Sequence, residues 1–237
     1  MLVAGCSFAE HLTPMFEERI PGVEVTNLAT WGVGNKFISD AVMLSTIRDN
    51  FDLVYISWTG LSRYDVCVDP VNKSLFFDWG VKKDLFDRYY VCTGGVGSWD
   101  HLHHQFGDIL FTGYHKFVEQ EQLHYNSLLE ILKIQSHLKL LGMPFYFTGM
   151  INQFKSSPDR MLHHTCEYGA TRYPSNNDLV EKIEFDRWIF GPEQSGIYET
   201  VKEVGLLWDQ DNFHPSIPGY EYWVDLVVTR LKEDKIL

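Results

Sequence analysis

Short apolar segments alternate along the chain with segments whose apolar residues recur at helical spacing. Five of the short segments are predicted strands: Met1–Ala4, Val23–Asn27, Asp52–Trp58, Pro144–Thr148 and Leu206–Trp208. The third is almost continuously apolar, which is typical of a strand buried on both faces of a parallel sheet. Strands that alternate with helices in this way predict an α/β fold with a doubly wound parallel sheet of about five strands.

Longer segments have the periodicity of helices. Asn35–Asn50 carries apolar residues on one helical face, and Phe117–Leu141 is a predicted long helix that ends at a glycine C-cap, Gly142. Near the C-terminus, apolar residues recur every three or four positions: Tyr220, Trp223, Val224, Val227, Val228 and Leu231. This stripe predicts an amphipathic helix as the last element.

Two stretches lack such periodicity. Residues 65–115 are rich in aromatic residues and glycine, and residues 151–196 are also irregular. We interpret both as insertions, the first over one end of the sheet. The whole chain, residues 1–237, is predicted to be one domain, because its length suits one α/β domain better than two.

Composition and charge narrow the classes of function. Twenty Lys and Arg against 32 Asp and Glu give a net charge of −12, and such a surface repels the phosphates of nucleic acids. No apolar run approaches the roughly 18 residues of a membrane span, and no signal-peptide pattern is seen at the N-terminus. The four cysteines have no CxxC spacing and are expected to be reduced thiols. We expect a cytoplasmic protein that binds no nucleic acid and has no membrane-spanning segment; the sequence predicts no particular oligomeric state.

Ser7 stands at the turn between the first predicted strand and a following helix, in the segment Gly5-Cys6-Ser7-Phe8. A hydroxyl at such a turn is exposed, and its N–H, at the start of a helix, points to where an oxyanion would form. The same position also suits an ordinary helix N-cap. The turn alone therefore does not identify a nucleophile.

Asp211 and His214 lie three positions apart just before the last helix, and Pro215 follows them. An aspartate so placed can orient an imidazole and stabilise its charged form, as the third member of a catalytic triad does. Taken alone, the pair is equally compatible with ordinary loop residues.

A glycine-rich segment, Asn27–Asn35, leaves the second predicted strand. Glycines in such a loop let main-chain N–H groups approach a ligand closely. Taken alone, the segment is also compatible with an ordinary turn between a strand and a helix.

Together, these segments resemble the SGNH (GDSL-like) hydrolase family of esterases and lipases. The family's Gly-Asp-Ser block corresponds to the turn at Ser7, and its strand-end Asn and oxyanion-hole Gly correspond to Asn27 and Gly32. Its Asp-x-x-His block corresponds to Asp211 and His214. The resemblance implies a flavodoxin-like, three-layer α/β/α fold and a triad of serine, histidine and aspartate. It also implies hydrolysis of an ester, often an acetyl or short acyl group on a sugar or lipid.

The family's first-block aspartate is replaced by Cys6, which puts a thiol beside the proposed nucleophile. At this position of the turn we expect the thiol to point toward the sheet. Ser7 is therefore preferred over Cys6 as the nucleophile.

The oxyanion hole also departs from the family pattern. The family's third block supplies an Asn side chain, but the corresponding segment here, Ser-Trp-Thr-Gly-Leu-Ser-Arg, contains none. We expect the N–H groups of Ser7 and Gly32 to form the hole with the hydroxyl of Thr59. Asn35 and Arg63 are alternative donors. Loss of one such donor elsewhere lowers rates by roughly 10²–10³.

The sequence thus predicts a serine ester hydrolase that acts on a small-molecule or glycan ester through an acyl-enzyme. Two alternatives use the same residues. One is a catalytically weak or inactive glycan-binding protein, which the aromatic residues of the first insertion would suit: Trp79, Tyr89, Tyr90 and Trp99. The other is an acyltransferase, in which another alcohol replaces water as the acceptor.

No cofactor or metal is expected. The histidines that invite a zinc hypothesis are His11, His101, His103, His104, His163 and His164. They lack the fixed spacing on defined elements that zinc sites have. Polar loop histidines are the preferred interpretation.

Overall fold

The computed structural model describes residues 1–60, 63–68, 81–85, 88–93, 120–152, 154, 176–210 and 213–237. The strands in these ranges are β1 (Leu2–Gly5), β2 (Thr26–Asn27), β3 (Val54–Trp58), β4 (Tyr64–Val68), β5 (Val81–Leu85), β6 (Arg88–Thr93) and β7 (Phe145–Gly149). The helices are α1 (Ser7–Glu10), α2 (Leu12–Arg19), α3 (Asn35–Arg48), α4 (Gln120–Leu141), α5 (Asn177–Val180), α6 (Ile197–Glu203) and α7 (Ile217–Glu233).

Four parallel strands form the central sheet in the order β2-β1-β3-β7. Gly5 of β1 pairs with Ser57 of β3, and Ser57 pairs with Thr148 of β7, so the strands end at a common edge. From β1 the chain first adds β2 on one side and then β3 and β7 on the other. Such a reversal of strand order is where open α/β sheets bind ligands. The predicted α/β fold with a parallel sheet is confirmed.

One further pairing extends the sheet beyond β7, where Phe147 forms a parallel bridge with Trp188. The predicted fifth strand, Leu206–Trp208, does not join this sheet, and that prediction is wrong. Leu207 forms an antiparallel bridge with Pro215 instead. The chain turns back within a few residues, so a local partner is available before the segment can reach the sheet edge.

Helices flank the sheet and complete a three-layer α/β/α arrangement. α3 packs against α4, and α2 packs against α7. The predicted apolar stripe lies on α7 and is buried, and the indole N–H of Trp223 donates to the buried phenolic oxygen of Tyr55 at 2.8 Å. α4 ends as predicted before Gly142, which has a φ of +67°. Within the described ranges, no helix is long and apolar enough to cross a membrane.

A second sheet has three antiparallel strands in the order β4-β6-β5. Tyr64 pairs with Thr93, and Val81 pairs with Val91. The prediction of an irregular insertion over residues 65–115 is therefore wrong for these strands. β5 reads Val-Lys-Lys-Asp-Leu, and strand formation in so charged a segment depends on its pairing partners more than on its own propensity.

The second predicted irregular stretch, residues 151–196, is described mainly in its second half. Its described part from 176 to 196 contains the one-turn helix α5 and two short 3₁₀ helices, Phe185–Arg187 and Pro192–Gln194. These short elements carry the chain from α4 and β7 back toward α6.

Candidate active site

Ser7 lies at the carboxyl edge of the sheet, where β1 passes into α1. A Cβ atom on the preceding Gly5 would lie 2.8 Å from the Ser57 carbonyl oxygen and 2.8 Å from the Ala9 Cβ. Carbon atoms do not approach neighbours so closely, and glycine is therefore needed for β1, β3 and α1 to pack together here. The side chain of Cys6 is buried, as the inward orientation of its thiol requires.

Ser7 meets a histidine that follows 207 positions later in the chain. Ser7 Oγ lies 2.9 Å from His214 Nε2, which is hydrogen-bonding distance. When the ring proton is on Nδ1, Nε2 accepts the hydrogen bond from the hydroxyl. A histidine in this arrangement can remove the serine proton and so activate the oxygen as a nucleophile.

A short hairpin holds His214 in place. Leu207 and Pro215 form its antiparallel bridge, and the Trp208 N–H donates to the His214 carbonyl at 2.7 Å. On the other side of this bridge, the Ser216 N–H donates to the Leu206 carbonyl at 2.9 Å. The imidazole is therefore presented from a paired segment of main chain.

Two aromatic rings pack against the imidazole of His214. The ring of Phe8 lies 5.2 Å from it between centroids, and the ring of Phe213 lies at the same distance. These contacts restrict the orientation of the imidazole toward Ser7. Asp211, the predicted third member of the triad, lies outside the described residues.

Tyr220 of α7 makes a contact that the sequence did not reveal. Its hydroxyl donates to the main-chain carbonyl of Ser7 at 3.1 Å, and its ring packs edge-on against His11 with centroids 5.5 Å apart. Periodicity placed Tyr220 on the apolar face of α7 but carries no signal for a hydroxyl partner. The hydrogen bond joins the start of α1 to the helix that follows His214.

The glycine-rich loop after β2 runs beside the turn at Ser7. The Thr30 N–H donates to the Gly5 carbonyl at 3.2 Å. Two residues further on, Gly32 has a φ of +70°, a conformation that glycine adopts readily and most other residues avoid. The structure therefore places the predicted oxyanion loop next to the predicted nucleophile.

Asn27 anchors the start of this loop. Its Nδ2 donates to the Ala9 carbonyl at 3.1 Å and to Thr13 Oγ1 at 3.0 Å. Its Oδ1 accepts from the Ala29 N–H at 2.8 Å. The side chain thus ties the end of β2 to α1 and α2.

Asp65 of β4, a buried carboxylate, holds the far end of the loop. Its two oxygens accept from the N–H groups of Gly34 and Phe37 at 2.8 Å each, so that it caps the N-terminus of α3. Nearby, Arg63 Nη1 donates to the Val33 carbonyl at 3.2 Å. This cap leaves no pattern in the sequence, because Asp65 lies 31 positions from Gly34, whereas capping patterns are recognised within a few residues.

Asn35 and Thr59, the predicted side-chain donors, are bonded to each other. The Thr59 N–H donates to Asn35 Oδ1 at 2.9 Å, and Asn35 Nδ2 donates to the Thr59 carbonyl at 3.2 Å and to Ser127 Oγ at 3.0 Å. Both amide hydrogens of Asn35 are therefore engaged. Thr59 directly follows β3, which is paired with β1, and so lies at the same sheet edge as Ser7.

Among the residues that the structure describes, no group of three or more His, Cys, Asp or Glu side chains could hold a metal ion. His11 packs on Tyr220 instead. The remaining histidines of the zinc hypothesis lie outside the described ranges: His101, His103, His104, His163 and His164.

Comparisons with known proteins gave no relative. No protein-family model matches the chain, and neither a curated protein nor a solved structure matches it significantly. Function is therefore inferred from the geometry of the site.

Proposed function

We propose that the protein is a serine ester hydrolase of the SGNH type, with Ser7 as nucleophile and His214 as general base. The observation that carries the proposal is the 2.9 Å distance between Ser7 Oγ and His214 Nε2. The glycine-rich loop beside Ser7 supports it, because main-chain N–H groups there can hold a developing negative charge. The position of both features at the reversal of strand order is a further support.

In the first half of the reaction, His214 Nε2 takes the proton of the Ser7 hydroxyl while Oγ attacks the ester carbonyl carbon. The N–H groups of Ser7 and Gly32, with the Thr59 hydroxyl, hold the charge that develops on the carbonyl oxygen. The bond to the alcohol oxygen then breaks, and His214 gives its proton to the leaving alcohol. The acyl group remains on Ser7 Oγ.

In the second half, water replaces the alcohol. His214 removes a proton from the water, whose oxygen attacks the acyl carbon. The bond to Ser7 Oγ breaks, the proton returns from His214 to Oγ, and the carboxylic acid is released. In the proposed triad, Asp211 accepts the Nδ1–H of His214 and stabilises the imidazolium that forms in each half.

The proposed substrate is a small acyl ester, such as an acetyl ester, of a carbohydrate or lipid. An acyltransferase would share the first half of this mechanism and pass the acyl group to a second alcohol. Release of the free acid in the absence of any added alcohol would identify hydrolysis. A separate test is the addition of EDTA, which should leave the rate of ester hydrolysis unchanged because the proposed mechanism uses no metal.

A fluorophosphonate probe tests the activated serine directly. We expect the wild-type protein to be labelled, Ser7→Ala to remain unlabelled, and His214→Ala to be labelled far more slowly, because the serine loses its base. Ser45→Ala is the matched control, since Ser45 is another buried serine at a distance from the site on α3. Absence of labelling in correctly folded wild-type protein, or equal labelling of Ser7→Ala, would contradict the proposal.

A further inference from the structure

The five tryptophans in the described ranges fall into two groups. Trp58, Trp188 and Trp223 are buried in the core. Trp31 and Trp208 are 52% and 44% exposed. An indole gains much from leaving water, yet Trp31 and Trp208 remain exposed, and the main chains of both adjoin the proposed active site.

Trp208 lies directly opposite His214 in the hairpin. Leu207 and Pro215 form the neighbouring bridge, and the Trp208 N–H donates to the His214 carbonyl at 2.7 Å. Residues directly opposed in an antiparallel pair project their side chains from the same face. The indole of Trp208 and the imidazole of His214 therefore share one face of the hairpin.

Trp31 adjoins the site from the β2 side. It immediately precedes Gly32, the proposed oxyanion-hole glycine. It follows Thr30, whose N–H donates to the Gly5 carbonyl at 3.2 Å. Trp31 thus belongs to the loop that would hold the ester carbonyl, while Trp208 belongs to the hairpin that holds the base.

We propose that Trp31 and Trp208 form a carbohydrate-binding platform, so that the alcohol part of the substrate is a sugar; this assignment rests on the proposed esterase function. The flat face of an indole packs against the C–H groups on one face of a pyranose ring, while the sugar hydroxyls stay in water. A lipid chain gains affinity by burying its methylene groups on a continuous apolar surface. Two solvent-exposed indoles on separate segments suit a sugar ring rather than a lipid chain.

A binding experiment tests the platform without any turnover. Xylotriose, cellotriose and chitotriose are titrated into the Ser7→Ala protein, and binding is followed by ligand-observed NMR. We expect at least one trisaccharide to bind, and Trp208→Ala in this background to raise its Kd by about tenfold, with Trp31→Ala acting in the same direction. Absence of binding by all three, or an unchanged Kd in both tryptophan variants, overturns the proposal.

Tyr125→Ala is the matched control for these variants. Tyr125 is an exposed aromatic residue on α4, and its loss should leave the Kd unchanged. Trp208→Phe keeps a smaller aromatic face and should recover part of the affinity that Trp208→Ala loses. An equal loss in Tyr125→Ala would show that the effect is not specific to the platform and would contradict the proposal.

A kinetic comparison relates the platform to the reaction. Acetylated xylotriose is compared with vinyl acetate, which has no ring to stack. Trp208→Ala should lower kcat/KM for the sugar ester about tenfold more than for vinyl acetate, mainly by raising KM. A preference for long-chain acylglycerols that both tryptophan variants lose would overturn the carbohydrate assignment in favour of a lipid.

Fluorophosphonate labelling separates failure of the platform from failure of the esterase. Sugar binding without labelling rejects the esterase and leaves a carbohydrate site. Labelling without sugar binding keeps the activated serine and rejects the platform.

Discussion

The side-chain amide of Asn35 forms two hydrogen bonds with the main chain of Thr59, accepting its N–H at 2.9 Å and donating to its carbonyl at 3.2 Å. The amide thereby mimics a paired peptide group and joins the first residue of α3 to the residue after β3. Its remaining hydrogen is donated to Ser127 Oγ on α4 at 3.0 Å. We infer that Asn35 positions Thr59 and does not itself contact the oxyanion.

Substitution of Asn35 by Ala should therefore lower both stability and activity. It removes the side chain that pairs with the buried N–H and carbonyl of Thr59, and we expect a loss of about 2–3 kcal/mol in the free energy of unfolding. Urea unfolding measures this loss, and ester hydrolysis reports the displacement of Thr59. Asn50→Ala is the control, because Asn50 is exposed beyond the end of α3; an equal effect of the two substitutions would contradict the positioning role.

Ser7→Ala and His214→Gln should not be additive in their effect on catalysis. Each should lower kcat/KM by at least about 10³-fold, because neither residue performs its proposed role without the other. The double variant should therefore be no slower than the slower single variant. Initial rates with vinyl acetate at several enzyme concentrations measure this, and a multiplicative loss in the double variant would indicate independent roles.

Asp65→Asn should loosen the glycine-rich loop. The substitution replaces one acceptor oxygen by an amide group that faces an N–H donor, and it removes the negative charge at the N-terminus of α3. We expect unfolding to become easier by about 1–2 kcal/mol and kcat for ester hydrolysis to fall. Asp49→Asn, an exposed carboxylate at the other end of α3, is the control for the loss of one charge. Equal stability of the two variants would argue against the cap.

His137 should make stability depend on pH. Desolvation lowers the pKa of His137 below its usual value of 6.5, and its Nε2 lies 2.8 Å from Thr46 Oγ1. The unfolded chain therefore binds the proton first as the pH falls, and the stability that the neutral ring contributes is present above pH 6.5 and lost below it, as the pH passes through the lowered pKa. The difference in unfolding free energy between wild type and His137→Gln should shrink from pH 7 to pH 5. A difference that is constant or grows over this range would contradict the lowered pKa.

Much of the central fold could be predicted because its elements carry their own signals. β3 is an almost continuous apolar run, and α7 carries an apolar stripe at helical spacing. Both patterns predict buried residues, and these residues are buried in the structure. The position of the fifth pairing could not be predicted in this way, since Trp188 joins β7 through a single bridge within an irregular segment. The charged strand β5 could not be predicted either, because its sequence lacks the alternation of apolar and polar residues that is typical of a strand.

The candidate site was predictable to the extent that its residues fall into local motifs. Ser7 and His214 were predicted to meet, and the structure brings them within 2.9 Å; their catalytic roles stay predictions. Asp65 and Tyr220 could not be found, because each acts on the site through a hydrogen bond to main chain far away in sequence. Contacts between residues so far apart in the chain produce no recognisable spacing in the sequence.

The separation of 207 positions between Ser7 and His214 also has a consequence for the synthesis of the chain on the ribosome. A ribosome that adds about 5–20 residues per second would add Ser7 to the chain roughly 10–40 s before His214. Throughout that interval the nascent chain would carry its hydroxyl without the proposed base. The proposed nucleophile and its base would then come together only after the segment that carries His214 has been made and has paired with Leu206 and Trp208.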